Sequence, residues 1–219
     1  MVLYYGHHSC KMFIKGKPIR FGFKIGTLCS SDEYPYAMKI YQGKEAEVTN
    51  SPLRTKVVTT LLNVVTNPLQ VDFFFDNFFT SYTLLRKLKM KGFKAIGTVR
   101  EGRTGRCPLV PAKEMKKKKR GEFDFWCDGD IYMCRWNDNS VVTLASNYQT
   151  HLLLGTTKRY SRQSKKRIDV PEPYIVRKYN KGMRGGGCRC VRPTAVLLRD
   201  KKWWWNFFSN GLNVAVVAA

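Results

Sequence analysis

The sequence predicts a mixed α/β fold, and three stretches carry that prediction. Val71 to Phe75 is an aromatic run with the bulk and β-propensity of a strand covered on both faces, and it leads straight into Asp76-Asn77. Thr80-Ser81 then caps a helix whose body ends at Gly92, and Phe93 to Val99 reads as the next strand. Downstream, Glu122 to Cys127, Ile131 to Trp136 and Ser140 to Ala145 are three short strands joined by the turn sequences Asp128-Gly129 and Asn137-Asp138-Asn139. Strand-helix-strand units followed by a meander belong to mixed sheets flanked by helices.

Taken in order, Met1 to Lys17 has no clear periodicity, and the adjacent His7 and His8 read as surface residues. Ile19 to Cys29 alternates apolar and polar positions as a half-buried strand, with Tyr34 to Tyr41 as its hairpin partner across Ser30 to Glu33. Pro52 to Val65 places Leu53, Val57, Leu61, Leu62 and Val65 on one helical stripe, with Ser51 as cap, Pro52 at the first position and Asn67-Pro68 as the stop. In the helix after Ser81, Leu84, Leu85 and Leu88 oppose Arg86, Lys87, Lys89 and Lys91, a solvated outer face. Residues 100–121 form a basic loop or linker: two prolines and three glycines break regular structure, and Lys116, Lys117, Lys118, Lys119 and Arg120 cannot enter a core. Two compatible readings stand for that run, a solvated linker with nuclear-import character and an arm that contacts phosphates, with Arg100 and Arg103 beside it. His151 to Arg177 reads as basic and irregular, and Lys201 to Ala218 as a closing helix whose Trp203, Trp204, Phe207, Phe208, Leu212, Val214 and Val217 supply core contacts.

With 219 residues the chain is long enough for one large domain. Its 39 Lys+Arg against 16 Asp+Glu leave a formal charge of +23, which favours a polyanionic partner, most simply nucleic acid, through counterion release at phosphates. No apolar run reaches the roughly 18 residues needed to span a bilayer, and no secretory leader is visible, so an intracellular location is expected, and the import character of the lysine run makes the expected compartment the nucleus. The 7 cysteines are odd in number and lack a CxxC pair, which points to free thiols rather than a zinc site. Nothing suggests a small-molecule substrate.

Asp76 invites two readings. A carboxylate at the C-terminal end of a strand in an open α/β sheet stands where ligands and metals bind, yet Asp-Asn after a strand also makes an ordinary strand-to-helix turn. The longer stretch DNFFTSYTLLRKLKMKGFKAIGTVR resembles the hallmark segment of the piggyBac transposase family. KPIRFGFKIGTLC upstream, and WNDNSVVTLASNYQT, VRKYNKGM and KKWWWNFFSNGLNVAVV downstream, follow in that family's order, so the resemblance runs from about Gly16 to Ala218. It implies an RNase H-like mixed sheet flanked by helices, here partial and carrying a basic insertion. It also implies a DDD-type site in which carboxylates hold two divalent metals, Mg²⁺ in the family, that cut and rejoin DNA. The family's N-terminal region and cysteine-rich C-terminal DNA-binding module are expected to lie outside this chain.

Carried over position by position, Asp76 falls on the family's catalytic aspartate of the DN-aromatic-FTS motif, and it is the one candidate metal ligand. Gln149, in Ser146-Asn147-Tyr148-Gln149, and Cys188 and Val191, after Tyr179-Asn-Lys-Gly-Met183, fall on the positions of the other acids. One carboxylate in place of four cannot offset two divalent ions about 4 Å apart, whose mutual repulsion is about 17 kcal/mol at an effective dielectric of 20. Asp72 is on the same strand but roughly 13 Å away along it, and Asp128, Asp130 and Asp138 sit in turn sequences. The expected function is therefore a transposable element-derived, DNA-binding domain that has lost cleavage and strand transfer and binds no productive Mg²⁺, the alternatives being an active Mg²⁺-dependent transposase or nuclease and a decayed element with no selected function. Arg192 to Arg199 can be encoded so that reading one base later gives Asp-Gln-Leu-Leu-Ser-Tyr-Tyr, the kind of sequence the family carries after its third aspartate. Residues 184–200 are accordingly read as a frame-shifted segment.

Overall fold

The computed structural model describes residues 1–16, 20–31, 34–42, 52–161, 164–183 and 204–218. The chain divides into two compact units, Met1–Val65 with Arg184–Ala219, and Thr66–Met183. The segment read as frame-shifted, with Cys188 and Val191, lies outside the described residues.

The first unit holds a small sheet of β1 (Val2–Leu3), β3 (Phe21–Phe23) and β2 (Met12–Phe13), in that spatial order. A hairpin, β4 (Ile25–Cys29) with β5 (Pro35–Ile40), completes its β-structure. The strand expected over Ile19 to Cys29 is thus two strands interrupted at Lys24. Gly22, at φ +151 within β3, lies against the Val2 backbone too closely for any Cβ, so only glycine lets β1 approach there. Helix α1 (Leu53–Leu62) covers the hairpin, buries Val58 and Leu62, and begins after Pro52 rather than at it. The closing helix α5 (Trp205–Ala218) packs on β1, sets its Phe207 ring 4.6 Å from that of Phe23 in β3, and buries Val214. Trp204, Phe208 and Leu212 are exposed, so this helix supplies fewer core contacts than its composition suggests.

The second unit is built on a five-stranded mixed sheet. Its strands are β6 (Asp72–Phe75), β7 (Lys94–Thr98), β10 (Val141–Ser146), β9 (Tyr132–Asn137) and β8 (Phe123–Cys127), in that order across the sheet. β6 and β7 are parallel because α2 (Tyr82–Met90) carries the chain back between them, and every other pairing is antiparallel. β6 is therefore an edge strand rather than a central one. It is still covered on both sides, because Phe73 meets the ring of Phe93 at 5.5 Å while Phe74 joins the cluster on the opposite face. Leu84, Leu85 and Leu88 of α2 are fully buried, which realises the amphipathic pattern of that helix.

Residues 151–177 are not irregular. They form a ribbon of β11 (Gly155–Ser161) and β12 (Lys166–Glu172), followed by α4 (Tyr174–Met183). Val170 of the ribbon and Ile175 and Val176 of α4 close the core with Ile96, Tyr132, Cys134, Trp136 and Leu144. The Trp136 Nε1–H donates to the Pro171 carbonyl at 2.9 Å, pinning β12 to β9. Residues 100–121 also carry more order than a linker, with a 3-10 turn at Glu101–Arg103 and a short helix α3 (Ala112–Met115) whose Met115 is fully buried. The basic charges stay outside while Leu109 and Met115 anchor the segment.

Candidate functional site

The strand-to-helix turn after β6 is held by Asp76 itself. Its Oδ1 accepts from the Phe78 N–H at 2.9 Å and the Phe79 N–H at 3.4 Å. Its carbonyl accepts from both the backbone N–H and the hydroxyl of Thr80, at 3.2 and 2.8 Å. Thr80 is fully buried against Gly97, where a Cβ would clash with its side chain and with the Phe75 carbonyl, so a glycine on β7 lets the turn dock. The Ser81 hydroxyl then accepts from the Leu84 N–H at 3.3 Å and starts α2.

Around this turn the structure gathers Arg100, Arg103 and Tyr179. The Arg100 Nε donates to Asn77 Oδ1 at 3.2 Å, and Arg103 Nη1 to the carbonyls of Asn77 and Phe78 at 2.7 and 2.8 Å. Both arginines expected to meet a phosphate are thus engaged in bracing the Asp76 loop. The Tyr179 hydroxyl donates to the Phe75 carbonyl at 3.2 Å and lies 3.5 Å from Thr98 Oγ1. Burial raises the pKa of Tyr179, and the negative charge of Asp76 adds to it. In the sequence Tyr179 stood only as part of the YNKGM string; that α4 delivers it to the end of β6 depends on a helix the sequence did not announce.

Gln149 is elsewhere. Phe75 pairs with Gly97 and Ser146 with Ile96, but β10 runs opposite to β7, so the chain leaves β10 at the far end of the sheet. Asn147 is level with Ala95 while Asp76 continues past Gly97, which separates them by about 10 Å along the strands and about 10 Å across them. Gln149 is two residues further on, its N–H donated to Ser146 Oγ at 2.9 Å. Even an acid at 149 could not share an ion pair with Asp76. A mixed sheet has no single carboxyl edge, so resemblance of motifs did not reveal which strand ends meet.

Asp72, at the start of β6, is paired with Lys178 Nζ at 2.7 Å, and that hydrogen bond raises the lysine's pKa. Among the described residues no three His, Cys, Asp or Glu side chains converge. Among the described residues the groups beside Asp76 are one amide, one phenol and two guanidiniums, and the carboxylate's Oδ1 already holds its turn. That set does not fit a pair of divalent cations.

The lysine run stands apart from this turn. Lys116 to Lys119 are exposed and make no ion pair among the described residues, yet their backbone is fixed. Asn137 Nδ2 donates to the Lys118 and Lys119 carbonyls at 2.8 and 3.4 Å, and the Gly121 N–H donates to the Asn137 carbonyl at 2.7 Å. Arg120 is engaged: its Nε meets Asp138 Oδ1 at 2.6 Å and its Nη1 donates to the Tyr160 carbonyl at 3.0 Å. Of the five cations expected to contact DNA in this run, four present free charge.

A family profile described as "Transposase IS4" matches residues 1–219. The chain is 41% identical over 212 residues to PiggyBac transposable element-derived protein 3 of Homo sapiens, covering 93% of this chain and 36% of that protein. It is 34% identical over 227 residues to PiggyBac transposable element-derived protein 2 of Homo sapiens, covering 99% of this chain and 38% of that protein. The chain thus spans little more than a third of the length of these curated relatives. Among solved structures, the piggyBac transposase in its synaptic complex with hairpin DNA matches with a TM-score of 0.76 at 22% identity, over 98% of this chain and 43% of that one. The mixed sheet with its flanking helices is the fold of that transposase. By sequence and by fold, the chain belongs to the piggyBac-type transposases of the transposase IS4 family.

Proposed function

We propose that this chain is a transposable element-derived, nuclear DNA-binding domain without DNA cleavage or strand-transfer activity. The observation that carries the loss of activity is the state of Asp76, whose Oδ1 caps its own turn with two arginines bracing the same loop. Gln149 at the opposite end of the sheet, with Cys188 and Val191 in place of acids, supplies no further negative charge. DNA affinity is supported by the +23 formal charge and by the uncompensated Lys116 to Lys119. The piggyBac transposase that shares the fold was solved in complex with hairpin DNA. The same lysine run has the composition of a nuclear-import signal.

Duplex binding should weaken with salt, the slope of log K against log salt being about −0.9 per phosphate contacted. Lys116 to Lys119 wind through about one turn, so about two of them can face one DNA backbone. Replacing all four with Gln should make the slope shallower by about 1.8, which closes the affinity gap to the parent about 12-fold between 50 and 200 mM salt. A parent affinity that ignores salt refutes DNA binding through this surface. Separately, Mg²⁺- or Mn²⁺-dependent nicking that Asp76→Ala abolishes would restore the active-transposase reading.

A further inference from the structure

We infer that the ribbon β11–β12 is a second DNA-contacting limb, whose outer face lies along the phosphate backbone with Lys158 and Arg167 as the contacting cations. The inference rests on the DNA-binding reading above and extends it to residues the sequence had left as irregular.

Register assigns the two faces of the ribbon. Lys158 pairs with Asp169, Tyr160 with Arg167 and Thr156 with Pro171, and partners directly across an antiparallel pair share a face. Lys158, Tyr160, Arg167 and Asp169 are exposed, whereas Val170 and Glu172 on the other face are buried. The inner face is held by Arg159, which meets Asp138 Oδ2 at 3.0 Å. The outer face is open to solvent from Lys158 to Tyr160 and from Arg167 to Asp169, and neither Lys158 nor Arg167 makes an ion pair among the described residues. Lys165 and Lys166, exposed at the tip, extend the same sign of charge. Asp169 is the one acid on this face; it lies across from Lys158 and forms no ion pair.

The ribbon is continuous with the lysine run. Asp138, between β9 and β10, takes Arg120 on one oxygen and Arg159 on the other, so one carboxylate ties both limbs to the same turn. Gly121, at φ +95, lies against Val170 and Pro171, where a Cβ would come within 2.6 Å of Pro171 Cδ. The lysine run and the ribbon are therefore fastened to the same turn, two basic limbs joined at Asp138. Seven-residue strands extend about 23 Å, enough to pass several phosphates spaced 3.4 Å along each DNA strand. A two-stranded ribbon also fits the major groove. Cations without local partners on a flat, rigid support favour a regular polyanion over an acidic peptide.

The test compares the full chain with Lys158→Gln/Arg167→Gln for binding to a random-sequence duplex over a salt series. Both residues are exposed, so unchanged thermal melting is expected. The salt slope should become shallower by about 1.8, two contacts at about 0.9 each, as it does for the Lys116 to Lys119 variant. As a second readout in the unaltered chain, DNA should protect Lys158 from acetylation while leaving Lys91, at the end of α2, reactive. If the full chain binds DNA but the ribbon variant keeps its slope and Lys158 stays reactive, the ribbon inference falls and the lysine run stands alone. If the full chain shows no salt-dependent binding, both fall. Loss of binding to anionic vesicles with DNA affinity intact would assign the face to membranes and overturn the inference.

Discussion

Asp76→Asn and Asp76→Ala should separate a turn-forming carboxylate from a catalytic one. In the structure Oδ1 accepts two backbone N–H groups, from Phe78 and Phe79, and the turn it holds packs Thr80 onto Gly97. Asn keeps an oxygen at that position, so it should retain the turn within a few tenths of a kcal/mol. Ala removes the acceptor and leaves both donors to water at an exposed site, a loss comparable to an N-cap deletion of about 1 kcal/mol. For a unit of this size that is about 4 °C in Tm. Thermal and urea unfolding of the two variants reads the difference, and a nicking assay with Mg²⁺ or Mn²⁺ on the same preparations reads chemistry. If Asn destabilises as much as Ala, the turn role is wrong. If the unaltered chain nicks DNA and Asn abolishes it without altering stability, the carboxylate charge does chemistry.

The remaining expectations concern packing, protonation and coding. Asn147 is buried, its Oδ1 accepting from the Ala95 N–H at 2.8 Å and its Nδ2 donating to the Phe93 and Leu85 carbonyls at 2.7 and 3.3 Å. Asn147→Ala leaves those three backbone groups unpaired and should cost about 3 kcal/mol, read as a lower urea midpoint at unchanged m-value. His151 stacks on Phe125 at 4.2 Å, hydrogen-bonds through Nδ1 with the Tyr132 hydroxyl, and has its pKa lowered by burial. Its neutral form is the folded one, so its contribution is complete above the ordinary value of about 6.5 and is lost as pH falls through the depressed folded value. The fall in Tm between pH 7.5 and 5 should shrink in His151→Phe; an identical fall would show that other groups set it. The coding DNA for Arg192 to Arg199 should yield Asp-Gln-Leu-Leu-Ser-Tyr-Tyr when read one base later, and other synonymous codons would end the frame-shift reading.

What the sequence disclosed depended on how local the physics was. The β8–β9–β10 meander was visible because Asp128-Gly129 and Asn137-Asp138-Asn139 are turn sequences between residues that alternate faces. Helix α2 was visible because Ser81 caps it and three leucines line one side. The ribbon and α4 were hidden: one face of the ribbon is charged and solvated, and Pro171 and Pro173 sit at the join where a strand gives way to a helix. At the site, the turn made by Asp76-Asn77 was legible, since an Asx residue hydrogen-bonds locally. The separation of Gln149 from Asp76 was not legible, because it follows from the direction of β10, which no short motif encodes. Nor could the sequence show that Arg100, Arg103 and Arg120 are occupied by Asn77, Phe78 and Asp138 while their lysine neighbours are free.

The pairing of β7 with β10 has a kinetic meaning of its own. Thr98 meets Leu144 only after the chain has passed through α3, the lysine run and the whole β8–β9 hairpin, so of the ladders in this sheet it closes the longest loop. The β6–α2–β7 crossover and the meander can each assemble from short-range contacts, and joining them is the entropically slow event that sets the pace of folding. Because closure entropy grows only logarithmically with length, a strongly basic insertion between two such halves burdens that step very little. That tolerance lets a chain of this kind change the charge of its surface without changing the path by which its sheet forms.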